Sequence, residues 1–178
     1  MAAVCPAAGI DIGKTAPDLP LTALNGTPLR LASLQKAPVT VLLFLSAQCP
    51  VSNGYVSRLN ALAAEFAGRA AFVGINSNHN ETAEQARVHA VDYALAFSVY
   101  KDNGNLAADT LGIGGTPEAA VLDRQNRLQY RGRIDDSPKV PRVKREDLRL
   151  AIEAVLAGRP APFAETSAFG CSIKRAPK

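Results

Sequence analysis

The segment 39–53, VTVLLFLSAQCPVSN, constrains the fold of this chain more than any other. Its first residues are aliphatic and often β-branched, which is typical of a buried strand. A helical pattern begins at Pro50, and proline is favoured at the first position of a helix because its φ is already helical. The segment therefore predicts a buried strand that leads directly into a helix.

Cys49 lies at the junction between that strand and that helix. The unpaired amides of a first helical turn, including that of Ser52, would point toward its sulfur, and the positive end of the helix dipole favours a thiolate. Cysteines so placed can have a pKa lowered from about 8.5 to as little as roughly 3.5. We therefore interpret Cys49 as a candidate nucleophile, although free cysteines more commonly serve as small buried hydrophobic residues.

Length and composition favour a single domain over residues 1–178. A chain of 178 residues can bury one sizeable core but is short for two. No apolar run approaches the roughly 18 residues of a membrane span. The N-terminus lacks the charged and apolar regions of a signal peptide, so we expect a cytoplasmic protein, or a periplasmic or secreted one if a signal has been removed.

The positive charge is concentrated in one stretch. Residues 124–149 contain nine Lys or Arg against four acids, whereas the whole chain has a net charge of +4. A basic band of this kind could bind nucleic acid. Because Tyr130 is its only aromatic residue and no recognition motif accompanies it, we expect a solvated basic face and no nucleic-acid partner.

The order of the predicted elements indicates the fold class. Asn25-Gly26 between two short apolar stretches predicts an N-terminal β-hairpin. Alternating strands and helices, followed by a final hairpin and helix, predict an α/β fold with a central mixed β-sheet flanked by helices on both faces. Residues 159–178, with prolines at both ends, form an extended C-terminal tail. The predicted strands are 70–75, 97–100, 119–122 and 128–134, and two of the predicted helices are 81–93 and 144–157.

Two motifs in this order also carry a family resemblance. FLSAQCPVS, residues 44–52, resembles the active-site segment of thioredoxin-like proteins, with Cys49 at the position of their attacking cysteine. Thr116-Pro117 resembles their cis-proline loop, which in that family lies against the reactive sulfur and offers backbone hydrogen bonds to a substrate chain. The wider layout is similar to the redoxin branch shared by peroxiredoxins and thiol-disulfide oxidoreductases. The resemblance implies a thioredoxin-like fold and a redox-active Cys49.

The motif departs from both branches of that family. Ser52 stands where the second cysteine of Cys-x-x-Cys would be, so the motif cannot close its own disulfide. Peroxiredoxins have a proline seven residues before their reactive cysteine and Thr or Ser three residues before it, and here those positions are Leu42 and Ser46. The resemblance therefore favours thiol-disulfide exchange over a peroxiredoxin-like peroxidase. A non-catalytic thioredoxin-like binding module is the third alternative.

Cys171, in the tail, could supply the missing thiol. The segment from Gly158 to Cys171, fully extended, could span on the order of 40 Å and return to the top of the sheet. A disulfide between Cys49 and Cys171 would then release a bound substrate. A loose tail with an incidental cysteine, or a disulfide between Cys5 and Cys171, are the alternatives.

The two histidines do not form a metal motif with the cysteines. His79 follows a strand at the edge where α/β folds place their sites, whereas His89 lies within a helix and suits packing or the surface. We expect no cofactor and no metal. The expected partners are a protein or small-molecule disulfide or thiol substrate and a reductant. The candidate catalytic residues are Cys49, Ser52, Thr116, Pro117 and Cys171.

Overall fold

The computed structural model describes residues 9–177, and within these it has a seven-stranded sheet, a two-stranded sheet and four α-helices. The strands are β1 (Pro20–Ala23), β2 (Pro28–Arg30), β3 (Val39–Phe44), β4 (Ala70–Asn76), β5 (Val99–Lys101), β6 (Gly115–Thr116), β7 (Glu118–Leu122), β8 (Leu128–Gly132) and β9 (Cys171–Ser172). The helices are α1 (Pro50–Glu65), α2 (Ala83–Asp92), α3 (Leu106–Leu111) and α4 (Asp147–Leu156).

The large sheet is mixed, as the element order predicts. Its strand order is β2-β1-β5-β4-β3-β7-β8, and β6 pairs with β9 in the small sheet. Strand β3 runs parallel to β4 and antiparallel to β7, and β1 and β2 form the predicted hairpin. All six residues of β3 are buried, which explains its unbroken apolar sequence.

Alternate residues of β3 pack into two hydrophobic cores, one on each face of the sheet, because successive side chains of a strand point to opposite faces. Val41 and Leu43 belong to the core that includes the apolar side of α1 and α4. Leu42 and Phe44 belong to the core that includes α3 and the segment before β1. Helices therefore cover both faces of the sheet, as predicted.

Two helices begin later than their sequence patterns predict. Thr82 caps α2 and forms a capping box with Gln85, so Glu81 precedes the helix instead of lying in its first turn. Helix α4 begins at Asp147 and not at residue 144, because residues 143–146 are held in a non-helical segment by bonds such as that from Lys144 N–H to Asp136. The shift of Glu81 matters for the site, because its carboxylate is free to bind another loop.

The basic stretch 124–149 does not present a uniformly solvated face. Five of its arginines bind acidic side chains, several of them distant in sequence, and the side chains of Arg131 and Arg133 are only 21% and 19% exposed. The pairs are Arg127–Asp123, Arg131–Glu165, Arg133–Asp147, Arg145–Asp147 and Arg149–Glu65. The sequence count of basic residues therefore overstates the charge that this surface offers to a partner.

The C-terminal tail has an extended backbone and is packed against the domain. Arg131 N–H donates to Ala164, and Thr166 N–H donates back to Arg131. Further along, β9 pairs with β6, and Ile173 is buried in the second core. Within the described residues, no helix combines the length and the apolar character needed to cross a membrane.

Candidate active site

The fold brings two cysteines into contact. The sulfur atoms of Cys49 and Cys171 lie 2.8 Å apart, and both are free thiols. Cys49 is 1% exposed, whereas Cys171 lies at the surface. Cys5 lies outside the described residues.

Cys49 is the N-cap residue of α1, with Pro50 at the first helical position. Its sulfur accepts a hydrogen bond from Ser52 N–H at 3.4 Å. This bond satisfies one of the amides that every helix leaves unpaired in its first turn, and it places the sulfur at the positive end of the helix dipole. The hydroxyl of Ser52 is used elsewhere, because it accepts the N–H of Ser46 at 3.3 Å. Ser52 therefore contributes its backbone, and not its side chain, to the sulfur.

The backbone of Thr116 contacts both cysteines. The Cys49 thiol donates to the Thr116 carbonyl at 3.3 Å, and the bond between Thr116 and Pro117 is cis. On its other side Thr116 pairs with Cys171 in the antiparallel ladder of β6 and β9, and Ile173 N–H donates to the Gly114 carbonyl at 3.0 Å. The tail thus lies along the loop that, by the resemblance, would pair with a substrate chain.

Gly170 allows the tail to approach this loop. Its φ is +126°, and a Cβ atom added there would lie 2.0 Å from the Thr116 carbonyl oxygen and 3.2 Å from Pro117 Cδ. Any side chain would therefore push the strand away and carry Cys171 with it. The glycine immediately before Cys171 is a steric requirement of the contact between the sulfurs.

The tail beyond Cys171 is fixed by hydrogen bonds on both of its edges. Lys174 N–H donates to the Asn78 side chain at 2.7 Å, and its carbonyl accepts from His79 N–H at 2.8 Å. Arg175 forms an ion pair with Asp109 at 2.7 Å. These contacts hold Cys171 in place without help from a disulfide.

Glu81 is a functional candidate that the sequence pattern did not reveal. Its carboxylate is buried and accepts hydrogen bonds from Ser46 Oγ, from Ala47 N–H at 2.8 Å and from Asn78 Nδ2 at 2.9 Å. Ser46 and Ala47 belong to the loop that precedes Cys49, and Asn78 binds the tail that carries Cys171. One carboxylate therefore supports both cysteine-bearing segments. One feature of the sequence could have indicated this role of Glu81. It is the polar run NSNHNE, residues 76–81, at the end of a buried strand.

The surroundings move the pKa values of the two thiols in opposite directions. For Cys49 burial opposes ionisation, but the hydrogen bonds from the Cys171 thiol and from the N–H groups of Ser52 and Cys171 hold its pKa below the ordinary value. For Cys171 the hydrogen bond to Cys49, together with burial and the Cys49 charge, raises the pKa. Of the two thiols, Cys49 is therefore the one that loses its proton first as the pH rises.

The two histidines lie outside this contact. His79 is exposed and binds the tail through its backbone, and His89 is buried with a ring nitrogen 2.8 Å from Asn53 Oδ1. The packing role expected for His89 thus agrees with its position. Among residues 9–177, no cluster of three or more His, Cys, Asp or Glu side chains is arranged to hold a metal ion.

Comparison with protein families identifies the group to which this site belongs. The AhpC/TSA family model matches residues 12–131. The chain belongs to the AhpC/TSA family. The matched residues include Cys49, Thr116 and Pro117, whereas Cys171 lies beyond them.

Solved structures place this AhpC/TSA chain among thioredoxin-like folds. A hypothetical protein from Sinorhizobium meliloti 1021 is 31% identical, with a TM-score of 0.83 over 96% of this chain and 97% of its own. An uncharacterized conserved protein from Geobacillus kaustophilus is 31% identical, with a TM-score of 0.84 over 94% of both chains. A secreted disulfide oxidoreductase from Mycobacterium tuberculosis is 23% identical, with a TM-score of 0.54 over 62% of this chain and 80% of its own, and shows the shared fold alone. No curated protein is detectably similar in sequence. The predicted thioredoxin-like redoxin fold is confirmed.

Replacing Gly170 with alanine should raise the pKa of Cys49. The added Cβ would clash with the Thr116 carbonyl and move Cys171, so Cys49 would lose the hydrogen bonds of the Cys171 thiol and amide. Thiolate absorbance near 240 nm across a pH series measures this change. Gly26→Ala is the matched control, because Gly26 also has a positive φ, +90°, but nothing lies within 4 Å of its Cβ position. An unchanged Cys49 titration in Gly170→Ala would contradict the steric argument.

Replacing Glu81 with glutamine should destabilise the protein in a pH-dependent way. Although burial opposes ionisation of Glu81, its hydrogen-bond donors prevail and lower its pKa below the ordinary value. A carboxylate whose pKa is lower in the folded state than in the unfolded state adds to the free energy of unfolding. This contribution is fully present above the unfolded-state pKa, about 4.3, and is lost as the pH falls through the folded-state pKa. We expect Glu81→Gln to cost about 1–3 kcal/mol at pH 7 and progressively less in acid.

Urea unfolding at pH 7 and at pH 3–4 measures this difference. Glu84→Gln is the control, since Glu84 has a 64% exposed side chain that pairs with Arg87 at the surface. A loss of stability for Glu81→Gln that does not depend on pH would contradict the assignment of a charged acceptor.

Proposed function

We propose that the protein is a thiol-disulfide oxidoreductase whose two redox states are the dithiol and the disulfide of Cys49 and Cys171. The observation that carries the proposal is the 2.8 Å separation of two free sulfurs at a helix N-terminus, one of them surface-exposed. Thiol-disulfide exchange requires a stabilised thiolate and a second sulfur within reach, and this arrangement supplies both.

The reaction of the dithiol with a substrate disulfide is balanced within this pair. Two electrons and two protons leave the cysteines, the substrate disulfide departs as two thiols, and a bond forms between the sulfurs of Cys49 and Cys171. Ser52 N–H stabilises the Cys49 thiolate, because it donates to that sulfur. Cys171 supplies the second thiol, which Ser52, at the place of the second cysteine of the motif, cannot supply.

Two residues favour this chemistry over peroxide reduction. Leu42, which stands at the position of the peroxiredoxin proline, is fully buried in β3 and packs in the second hydrophobic core. The Ser46 hydroxyl donates its hydrogen atom to the Glu81 carboxylate, so it does not donate that hydrogen atom to a peroxide at Cys49.

A non-catalytic binding module would have no need for two thiols in contact. Its partner-binding surface could be formed equally well with serine at either position. Loss of activity on replacing either cysteine, with partner binding and folding retained, therefore separates the two functions.

Non-reducing peptide mapping tests the proposal. After one equivalent of glutathione disulfide, acid quenching and blocking with N-ethylmaleimide, we expect a peptide in which Cys49 is joined to Cys171. Cys49→Ser and Cys171→Ser should each lower the rate of glutathione disulfide reduction by at least about 100-fold, because ordinary single thiols react slowly and leave a mixed disulfide. Cys5→Ser is the control and should leave the rate unchanged.

Two results would contradict the proposal. A peptide that joins Cys5 to Cys171 would assign the tail cysteine to a structural link between the termini. A second-order rate with hydrogen peroxide far above that of an ordinary thiol, with Cys49 recovered as sulfenic acid, would favour a peroxidase.

A further inference from the structure

We propose that the Cys49–Cys171 disulfide is reduced by a low-molecular-weight thiol that attacks the sulfur of Cys171 and expels Cys49. This inference rests on the proposed function. The sequence suggests that Cys49 meets the external reactant, whereas here the reductant attacks Cys171, which we call the entry sulfur. The reductant is a small thiol and not a protein.

Access to solvent differs sharply between the two cysteine residues. Cys49 is 1% exposed, with Ser52 N–H, the Thr116 carbonyl and the Cys171 sulfur around it. Cys171 is exposed. Exchange requires the attacking thiolate to approach the sulfur along the line of the disulfide, so access decides which sulfur reacts. An external thiolate therefore meets Cys171 first.

The strand edge that a polypeptide reductant would use is already occupied. Strand β9 pairs with β6 through Thr116 and Gly115, and Gly170 packs against the Thr116 carbonyl more closely than any side chain would allow. The bonds from Lys174 and Arg175 to Asn78 and Asp109 fix the same segment. An incoming extended chain would have to break this ladder, whereas a small molecule would not.

A recess beside Cys171 fits the reacting end of a small thiol. It encloses about 250 Å³ and opens to solvent next to the tail strand. Four of its nine lining residues are glycines, Phe169 and Cys171 also line it, and the Glu118 carboxylate on its wall accepts hydrogen bonds from the N–H groups of Gly114 and Gly115. The recess is small compared with the pockets of roughly 300–1,000 Å³ that enclose drug-sized ligands, which suits a ligand that enters by one end.

The proposed step balances without another reactant. The thiolate R–S⁻ forms a bond to Cys171 Sγ, the bond between Cys171 and Cys49 breaks, and its electron pair stays on Cys49 as a thiolate. Because Ser52 N–H and the helix dipole stabilise that thiolate, Cys49 is the better leaving group of the two. A second R–S⁻ then attacks the R sulfur of the mixed disulfide, forms R–S–S–R and expels Cys171 as a thiolate, which takes up a proton from water.

Trapping of the mixed disulfide tests the entry sulfur. The oxidised protein is mixed with glutathione, quenched with acid from milliseconds to minutes, blocked with N-ethylmaleimide and mapped. We expect glutathione on Cys171 and maleimide on Cys49, in at least tenfold excess over the reverse pattern. Glutathione predominantly on Cys49, or equally on both cysteines, would overturn the inference.

Single-cysteine variants decide the same question when the mixed disulfide does not accumulate. In a Cys5→Ser background, where Cys49→Ser and Cys171→Ser each leave one thiol, we compare the rate with glutathione disulfide to the rate with methyl methanethiosulfonate, a much smaller reagent, so that intrinsic reactivity cancels. The rate with glutathione disulfide divided by the rate with methyl methanethiosulfonate should be at least ten times lower when Cys49 is the remaining thiol than when Cys171 is. Equal ratios would contradict the burial argument.

A reduced thioredoxin supplies the macromolecular comparison. Its rate and that of glutathione with the oxidised protein are each divided by the rate of the same reductant with insulin, whose disulfides are open to both. We expect the normalised rate to be at least tenfold higher for glutathione, and a higher value for thioredoxin would overturn the size class. Failure of the disulfide to form at all would instead refute the proposed function, so the two failures are distinguishable.

Discussion

The structure of the site depends on the pairing of Thr116 with Cys171 across β6 and β9. This ladder places the tail against the loop before β7, and Gly170 makes the approach close enough for the sulfur of Cys171 to reach that of Cys49. Without it Cys49 would be an isolated cysteine at a helix N-terminus. The pairing therefore converts a motif that lacks its second cysteine into a two-sulfur site, and the tail residues that it uses, Gly170 and Cys171, lie outside the family-matched segment.

The same pairing explains why Cys49 both receives hydrogen bonds from the tail and is covered by it. The tail donates hydrogen bonds that favour a thiolate at Cys49, and it also removes that sulfur from solvent. Glu81 couples the two effects, because it binds the loop before Cys49 and also Asn78, which in turn holds Lys174 of the tail. One buried carboxylate is therefore hydrogen-bonded, directly or through Asn78, to both cysteine-bearing segments.

The features that the sequence predicts well are those set by local physics. The apolar run of β3, the proline after Cys49 and the Asn25-Gly26 turn each specify their own structure within a few residues. The features that it misses depend on distant partners. Glu81 has the pattern of an acid in a helical first turn, and only the fold shows that its carboxylate is needed by Ser46 and Ala47. The reach of the tail allowed Cys171 to approach Cys49, but the reach alone could not select that contact from the alternatives.

The central claim is that Cys49 and Cys171 form one redox couple. Its most direct test is an equilibrium titration in glutathione buffers of protein with ¹³C-labelled cysteine, followed by the Cβ chemical shifts. We expect the resonances of Cys49 and Cys171 to move together, with a single two-electron midpoint, while that of Cys5 follows neither. Separate midpoints for Cys49 and Cys171, or a Cys171 resonance that does not respond, would contradict the account.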